Sequence, residues 1–415
     1  MVAAQAFSPV DRVVQEDPYP FYQELRRGPA ATYLPEDDLW VVPRFRHVWD
    51  VARSPESYSS KGLRAFAAGA ATARGGPRPD LRALDSKLAR SLIASDPPDH
   101  VRLRRLVARP FTPRSIATLE PRARQICDSL VDQLLAAGGR GDADLVTQLA
   151  IPFPVLVIAE ALGIPPERRE DFKRWSDALV GQLDGEGDPS AVLADIKEMT
   201  AYFYEAVAER TVAPHDDLIS WIVTSSAENG EPLQPRDLVA FCTLLLVAGN
   251  ETTTNLIGNL YQAFFDHPDQ LERVGRRADL APVVEEILRY DTSIQGILRL
   301  ANHDLDLDGT EIPTDAVVLI LFGSANRDES RWPDADRFDV DRAPQDHLGF
   351  ALASTCASAP TWPGSRSARS STRCDGGCAA SNPAGRPSAP TRSSCAASPR
   401  CPLRSRRGED EVRCR

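Results

Sequence analysis

The longest helical stretch of the sequence runs from about Arg236 to Asp266, where His267-Pro268 ends it. Leu, Val and Phe surround the first half of this stretch on all sides, between residues 238 and 247. A helix that is apolar all round has to be buried. A helix of this length spans about 46 Å at about 1.5 Å per residue. The stretch therefore predicts a large core and a mainly α-helical fold.

The rest of residues 1–350 agrees with this fold class. No internal repeat and no linker divides the region, so a single large domain is expected. Two further stretches carry apolar residues at helical spacing, 144–164 and 168–183. Runs rich in β-branched and aliphatic residues predict small β-sheets, and these runs are 40–42, 297–301 and 316–322.

A polar run, Ala-Gly-Asn-Glu-Thr-Thr at 248–253, interrupts the apolar helix. Buried polar groups need partners or a purpose. Gly249 allows another group to approach the backbone closely, and the Thr252 hydroxyl can bond to a carbonyl one turn earlier and open the helix locally. The run also fits a polar stripe whose members are satisfied by other side chains, and these residues alone leave both interpretations open.

Two charged motifs lie on other predicted helices. Residues 96–100 open a helix with a capping residue and two prolines, and His100 and Arg104 then share one face, where they could clamp a carboxylate or phosphate. The alternative is a solvated basic face, because neighbouring arginines are also present. Glu286 and Arg289 are spaced to pair on a helix, although exposed pairs of this kind contribute little.

Composition excludes several classes of protein. Mean hydropathy is -0.30 and no apolar run is long enough for a membrane span, while the net charge of -11 argues against a nucleic-acid binder. We expect no membrane partner and no signal peptide. Cys127 and Cys242 are the cysteines of residues 1–350, and such sparse use fits a reducing, cytoplasmic compartment.

The character of the sequence changes after Phe350. Residues 351–415 consist largely of Ser, Ala, Arg, Pro and Cys, with eleven arginines against four acidic residues. No apolar periodicity survives, so we expect residues 351–415 to be disordered beside a domain formed by residues 1–350. Zinc binding by this region is the weakest alternative, because its cysteines lack CxxC pairs and nearby histidines. These cysteines are Cys356, Cys374, Cys378, Cys395, Cys401 and Cys414.

The motifs gain specificity from their order and spacing. Taken together they resemble the bacterial cytochrome P-450 family over roughly residues 10–350, although each motif is weak singly. In chain order they are Asp17-Pro-Tyr-Pro-Phe21, His100 with Arg104, Ala-Gly-Asn-Glu-Thr-Thr at 248–253, Glu286-Ile-Leu-Arg289, Arg299, Asn326-Arg327-Asp328, Phe338-Asp339-Val-Asp-Arg342 and His347-Leu-Gly-Phe350.

The resemblance implies a haem-dependent monooxygenase that binds haem b (iron protoporphyrin IX). The enzyme would insert one atom of O2 into a small or medium apolar substrate, with electrons from a ferredoxin and its reductase. It also implies roles for particular residues. His100, Arg104 and Arg299 would bind the haem propionates, with His347 as a less certain fourth contact, and Ala248 and Gly249 would adjoin the cofactor.

The remaining implied roles concern catalysis, substrate and structure. Glu251 and Thr252 would be the acid–alcohol pair that delivers protons to bound dioxygen. Leu245 and the segments near Leu92 and Ile294 would line the substrate pocket. A structural ion-pair network would consist of Glu286, Arg289 and Arg342. The electron donor would dock on the basic face that carries Arg102, Arg105 and Arg109.

The resemblance fails where the iron ligand is expected. The family continues Phe-Gly-x-Gly-x-His-x-Cys-x-Gly, with the cysteine thiolate as axial ligand. Aligning Phe350 places Thr355 at the histidine and Ala357 at the cysteine, while Cys356 lies one position early. Cys356 is thus a weak candidate for the metal ligand. If it cannot serve, the chain is a haem-free or inactive helical protein, which is the alternative to the enzyme.

One lost base near codon 352 or 353 explains this break. In the restored reading frame each codon takes its last two bases from the first two of a printed residue. Residues 353–359 can then encode Gly-Ile-His-Leu-Cys-Leu-Gly, provided that the codon of Cys356 is TGT, and residues 360–366 continue as Ala-Asp-Leu-Ala-Arg-Leu-Glu. Because the printed residues constrain the bases, this agreement is hard to obtain by chance. We interpret residues after about 351 as a frameshift product.

Overall fold

Helices contain most of the residues that the computed structural model describes, which are 7–63, 65–66, 92–108, 111–138, 143–184, 188–228, 233–349 and 402–403. Numbered in chain order, the helices are α1 (Arg12–Glu16), α2 (Tyr19–Arg27), α3 (Phe45–Arg53), α4 (Asp99–Val107), α5 (Pro113–Ala117), α6 (Glu120–Gly138), α7 (Pro152–Ala161), α8 (Arg169–Asp184), α9 (Pro189–Val212), α10 (Leu218–Glu228), α11 (Pro235–Asp266), α12 (Pro268–Val274), α13 (Ala281–Tyr290) and α14 (Phe322–Ala325).

The strands form small sheets, and this mainly α-helical architecture confirms the expected fold class. The strands are β1 (Thr32–Leu34), β2 (Leu39–Val42), β3 (Tyr58–Ser59), β4 (Ala143–Asp144), β5 (Gly296–Ala301), β6 (Leu305–Leu307), β7 (Thr310–Ile312), β8 (Val317–Leu321) and β9 (Pro402–Leu403). The largest sheet has the order β1-β2-β8-β5-β3, with β2 parallel to β8 and the other neighbours antiparallel. A hairpin of β6 and β7 forms a separate sheet.

Helix α11 has 32 residues and runs through the main hydrophobic core, as its sequence predicts. Its apolar first half is buried, including Leu238, Phe241 and Leu246. Helices α7, α8 and α9 pack against it and cover several of its sides. Since apolar burial stabilises a fold by about 25 cal/mol per Å², the buried side chains of α11 contribute to the stability of this core.

The segment 144–164 is less regular than the predicted helix. Residues 143–144 form strand β4, Val146–Ala150 form a single π-helical stretch, and α7 begins only at Pro152. Pro152 cannot donate a backbone hydrogen bond to the preceding turn, so an α-helix can start but not continue there. The helical periodicity was correct for residues 146–161, and the assumption of one uninterrupted helix was wrong.

Strand β4 pairs antiparallel with β9, so that Ala143 lies opposite Leu403 and Asp144 opposite Pro402. Apart from these two residues of β9, the region 351–415 lies outside the described residues, and so does the expectation of disorder there. Cys356 and Ala357 belong to this region. Among the helices that the structure describes, none is long and apolar enough to cross a membrane.

Candidate functional site

A cluster of basic groups forms where α4 meets β5. His100, in the first turn of α4, is 5% exposed, and Arg299, on β5, is 3% exposed. Burial lowers the pKa of His100, and the positive charges of Arg104 and Arg299 lower it further, while Asp96 opposes them. Within the described residues, the buried Nε2 atom of His100 has no hydrogen-bond partner. The structure therefore brings together the three residues that were predicted to bind carboxylates.

The partners of this cluster come from the β3 region. Arg299 donates from Nη1 to the Ser60 hydroxyl at 2.8 Å. A Cβ atom on Gly62 would lie 2.4 Å from the backbone nitrogen of Arg299, so a glycine is required where these two segments of the chain pass each other. Strand β3 also pairs antiparallel with β5. The position of Arg299 is thus set by its strand and by a neighbouring loop.

The start of α4 differs from the prediction. Asp96 does not cap the helix, because its carboxylate accepts hydrogen bonds from the Ser60 amide at 2.7 Å and from the Ser59 hydroxyl. Pro98 occupies the N-cap position and makes no side-chain cap bond. The expected capping residue was therefore wrong. Asp96 instead ties the start of α4 to the loop that holds Arg299.

The polar run of α11 contains a buried acid and a buried alcohol. Glu251 and Thr252 are each 9% exposed. The Thr252 hydroxyl donates to the Ala248 carbonyl at 2.6 Å, which is the bond one turn earlier that the sequence predicts. The helix nevertheless continues from Pro235 to Asp266 without interruption. The carboxyl and the hydroxyl of two successive residues are thus both buried in this helix.

Other polar groups in and beside this run bind neighbouring helical segments. Asn250 donates to the Ser176 hydroxyl on α8 at 2.6 Å. The hydroxyl of Thr254, the residue after the run, donates to the Ala150 carbonyl at 3.0 Å. A Cβ atom on Gly249 would lie 2.7 Å from Ile158 Cδ1, so the group that approaches this glycine is a side chain of α7. Part of the polar run is therefore explained by packing and hydrogen bonds to neighbouring segments. Glu251 and Thr252 are the members whose side chains are candidates for proton transfer.

The expected substrate-lining residues divide between two clusters. Leu92 is buried in the main core, and Leu245 packs against the same cluster. Ile294 is buried in a second cluster that covers the large sheet. Leu92 and Leu245 thus belong to the same cluster, whereas Ile294 lies two residues before β5, the strand that carries Arg299.

A buried ion-pair network lies behind the site. Glu286 and Arg289 are both fully buried and form a bidentate pair, at 2.8 Å from Nε to Oε2 and 2.9 Å from Nη2 to Oε1. Arg342 donates from Nε to Glu286 Oε1 at 3.1 Å. Arg289 also donates to the carbonyls of Asn326 and Ala335. Because all these groups have partners, the network fixes the segment 326–342 against α13.

Comparisons with known proteins decide the family. The family model "Cytochrome P450" matches residues 280–346. The cytochrome P-450 monooxygenase PikC of Streptomyces venezuelae is 38% identical over 341 residues, which cover 80% of this chain and 77% of that protein. The chain belongs to the cytochrome P-450 family. Solved members share its fold.

Two solved structures illustrate this similarity. CYP109Q5 from Chondromyces apiculatus has a TM-score of 0.73 and 39% sequence identity, with 84% of each chain covered. CYP109E1 from Bacillus megaterium, in complex with testosterone, has a TM-score of 0.70 and 31% identity, and the match covers 82% of this chain and 85% of that one. The cytochrome P-450 resemblance and the fold class expected from the sequence are thus confirmed.

Members of the cytochrome P-450 family bind haem b through a cysteine thiolate. The basic cluster fits the two propionates of this cofactor, because it offers two guanidinium groups and a buried imidazole nitrogen to anionic oxygens. The candidate positions for the thiolate, Cys356 and Ala357, lie outside the described residues. The residues in the described part of the chain therefore fit the propionate end of the cofactor.

His347 is placed differently from the other expected propionate contacts. Its Nε2 atom lies 2.8 Å from Glu285 Oε2, and the Gly349 amide donates to its Nδ1 atom at 3.0 Å. Burial lowers its pKa to about 4, and Arg289 acts in the same direction, while Glu286 and Asp346 oppose this effect. The imidazole ring is thus held by Glu285 of α13 and by the backbone amide of Gly349.

Sequence reasoning missed three residues that support the site. Ser60 binds Arg299, Glu285 binds His347, and the Asn326 side chain accepts a hydrogen bond from the Leu348 amide at 2.6 Å. Asn326 lies in a motif that the sequence singled out without a role. For Ser60 the sequence contains no local signal, since its partner is 239 residues away.

Proposed function

We propose that this cytochrome P-450 is a haem-dependent monooxygenase that inserts one atom of O2 into a small or medium apolar organic substrate, with electrons from a ferredoxin and its reductase. The observation that carries the proposal is the buried Glu251–Thr252 pair on the central helix of a cytochrome P-450 fold. Haem, when bound, supplies the redox chemistry that activates dioxygen. The protein supplies binding, orientation and protons.

His100, Arg104 and Arg299 would hold the propionates. Two guanidinium groups balance the two carboxylates in charge, and a neutral imidazole donates one hydrogen bond. The lowered pKa of His100 keeps its ring neutral near pH 7. We leave His347 out of this set because Glu285 and Gly349 already bind its two ring nitrogens.

Thr252 would hold a proton donor at its Oγ1 atom beside the reacting oxygen. In the structure its hydrogen points to the Ala248 carbonyl, so Oγ1 can accept a hydrogen bond from another group. Glu251 precedes it on the helix and would replace each proton that Thr252 delivers. Ala248 and Gly249 would adjoin the cofactor on the same turn. Ile158 of α7 also lies close to Gly249, so the cofactor would share this position with that side chain.

An apolar substrate fits the side chains near this turn. Leu92 and Leu245 lie in the same hydrophobic cluster as the first half of α11, and Ile294 lies two residues before β5. The similar CYP109E1 was solved with testosterone, which is a largely apolar polycyclic molecule. A pocket of this kind would select by shape and apolar area, with few polar contacts.

The electron donor would dock on the basic face of α4 that carries Arg102 and Arg105, with Arg109 outside the described residues. Arg102 lies 3.9 Å from Asp99 and keeps 30% of its side chain exposed. Residues 1–350 have a net charge of about -18, so a basic face stands out from an acidic surface. An acidic ferredoxin would be steered to it.

This docking face has a direct test in protein with the restored reading frame. Arg109→Glu is expected to slow reduction by ferredoxin about tenfold at low ionic strength and much less at high ionic strength. Arg12→Glu, at an exposed arginine of α1, is the matched control. Reduction rates that do not respond to salt would reject the face.

The monooxygenase proposal itself is tested with purified protein in the restored frame. We expect a reduced-CO difference spectrum with a thiolate-type Soret band, and product formation from an apolar substrate when ferredoxin, its reductase and NAD(P)H are supplied. A restored protein without this band would refute the proposal. We also propose a cytoplasmic location, because Cys127 and Cys242 are free thiols, as in a reducing compartment.

A further inference from the structure

His347 has one defined tautomer in this structure. The Gly349 amide donates to Nδ1 at 3.0 Å, so Nδ1 carries no hydrogen. The hydrogen of the neutral ring is then on Nε2, which lies 2.8 Å from Glu285 Oε2 and donates to it. The ring thus connects helix α13 to the backbone two residues further along the chain.

The next two residues are held to the same helix by other groups. The Leu348 amide donates to Asn326 Oδ1 at 2.6 Å, and Asn326 Nδ2 donates to the Leu288 carbonyl at 3.3 Å. The Thr292 hydroxyl donates to the Gly349 carbonyl at 3.3 Å. Successive peptide groups of residues 348 and 349 are therefore bound to α13 and its flanks.

Gly349 cannot be replaced by a larger residue in this arrangement. A Cβ atom there would lie 2.3 Å from the Leu288 carbonyl oxygen and 3.0 Å from His347 Nδ1. The close contact with α13 therefore depends on the absence of a side chain. Both the glycine and the histidine are needed for the chain to pass so near the helix.

The chain leaves this contact directly before the segment in which the iron ligand is expected. Helix α13 carries Glu285 and leads through Thr292 into β5, which carries Arg299 of the propionate cluster. One continuous unit thus holds the exit of residue 349 and one side of the predicted cofactor site. A change in the exit direction would displace a thiolate eight residues later, and metal ligands tolerate about 0.2 Å.

We propose that His347 is a positioning residue, which together with Glu285 and Gly349 fixes the direction in which the chain enters the haem-ligand segment. This role replaces a propionate contact and rests on the proposed function. Burial, with a pKa of about 4 for the ring, keeps His347 neutral at pH 7 and so preserves the tautomer. The charged groups that face the ring are Glu285, Glu286, Arg289 and Asp346.

Two variants of His347 test its hydrogen bond with Gly349 and its hydrogen bond with Glu285 separately. In His347→Asn, the amide oxygen replaces Nδ1 and can accept the Gly349 amide in an Asx turn. In His347→Gln, the amide nitrogen replaces Nε2 and can donate to Glu285, but the acceptor for Gly349 is lost. His303→Asn, at an exposed histidine, is the matched control.

The first measurement is hydrogen exchange of the Gly349 amide in the chain as printed, which needs no haem. We expect exchange about tenfold faster in His347→Gln and near wild-type exchange in His347→Asn and His303→Asn. Equal exchange in all four proteins would overturn the proposed contact.

The second measurement is the thiolate-type Soret band per mole of protein in the restored frame. The band is expected to fall about tenfold in His347→Gln and to recover largely in His347→Asn. A propionate role predicts equal loss in both variants, and that outcome would overturn the positioning role. If the restored wild-type protein lacks the band, the proposed function fails, and the exchange measurement still decides on the contact.

Discussion

Thr252 has one hydroxyl hydrogen, and the structure directs it to the Ala248 carbonyl at 2.6 Å. In protein with the restored frame, Thr252→Ala is expected to retain haem and substrate binding while product per NAD(P)H falls by about 10²-fold or more, the size of a general acid–base contribution. Product and NAD(P)H consumption are measured together. Thr253→Ala is the neighbouring control, and an unchanged yield in Thr252→Ala would count against the role of the hydroxyl.

His347 makes the free energy of unfolding depend on pH. Its folded pKa is about 4, below the ordinary value of 6.5, so the unfolded chain binds more protons between these values. Stability should therefore decrease as pH falls from about 6.5 to about 4, by at most about 1.4 kcal/mol per pH unit for this group. Urea unfolding between pH 7 and pH 4.5 measures this slope. His347→Asn should show a smaller slope, and an identical slope would contradict the assignment.

At the scale of elements, the sequence predicted helices best where burial alone decides them. Helix α11 was expected from 236 to 266 and is observed from 235 to 266, because its apolar residues and the His267-Pro268 stop leave no alternative. The prediction of one uninterrupted helix over 144–164 was wrong at Pro152, since helical periodicity does not show where one helix ends and another begins. The expectation of a capping residue at the start of α4 was wrong for Asp96, because its carboxylate binds Ser59 and Ser60. These partners lie far away in the chain, so no local pattern indicates them.

The candidate site was predictable to a different degree. The pairing of Glu286 with Arg289 follows from helical spacing, but its complete burial does not. His100 and Arg299 were grouped through the family resemblance, since residues about 200 positions apart carry no common local signal. The contact between Glu285 and His347 depends on tertiary packing, and so sequence reasoning gave His347 another role.

Two glycines of α11 provide a matched test of how this helix packs. Gly249→Ala is expected to be less stable than Gly258→Ala by about 1 kcal/mol, because its Cβ would lie 2.7 Å from Ile158 Cδ1, the end of a side chain that has to shift. Gly258→Ala meets nothing within 4 Å and should stabilise the helix by about 0.5–1 kcal/mol. Denaturant midpoints measure both. Ile158→Val removes Cδ1 and should reduce the cost of Gly249→Ala, whereas simple additivity of the two changes would exclude the contact.

At the scale of the whole molecule, the second half of α11 is less covered than the first. Residues 253–260 all remain partly exposed, whereas buried residues recur along the first half. The Asn259 side chain donates to the Asp291 carbonyl at 2.9 Å, and Thr292 binds Gly349, so the chain leaves residue 349 beside this part of the helix. The family match ends at residue 346, near the change in composition. These observations agree with a body whose next helix is missing from the printed sequence.

Composition also predicts how a protease will act on the printed chain. Residues 351–415 lack an apolar pattern and contain many arginines, so trypsin is expected to remove most of this region before it cuts residues 7–63 or 233–349. Mass spectrometry of a time course identifies the cut sites. A tail that resists trypsin as long as the body does would contradict the predicted division at residue 350.

Restoring the reading frame should turn the printed chain into a stable thiolate-ligated haem protein. The restored segment provides two glycines, the histidine and the cysteine of the ligand loop, followed by Ala-Asp-Leu-Ala-Arg-Leu-Glu, whose two leucines can be buried on the body. Each such leucine contributes about 1.5–3 kcal/mol, and the metal bond adds to this. Both proteins are expressed and compared by unfolding midpoint and by the reduced-CO Soret band per mole. The printed chain has Thr355 and Ala357 where histidine and cysteine are expected, so we expect no thiolate-type band from it. An equal band from both proteins would show that Cys356 serves as the ligand, and the frameshift would then have no functional consequence.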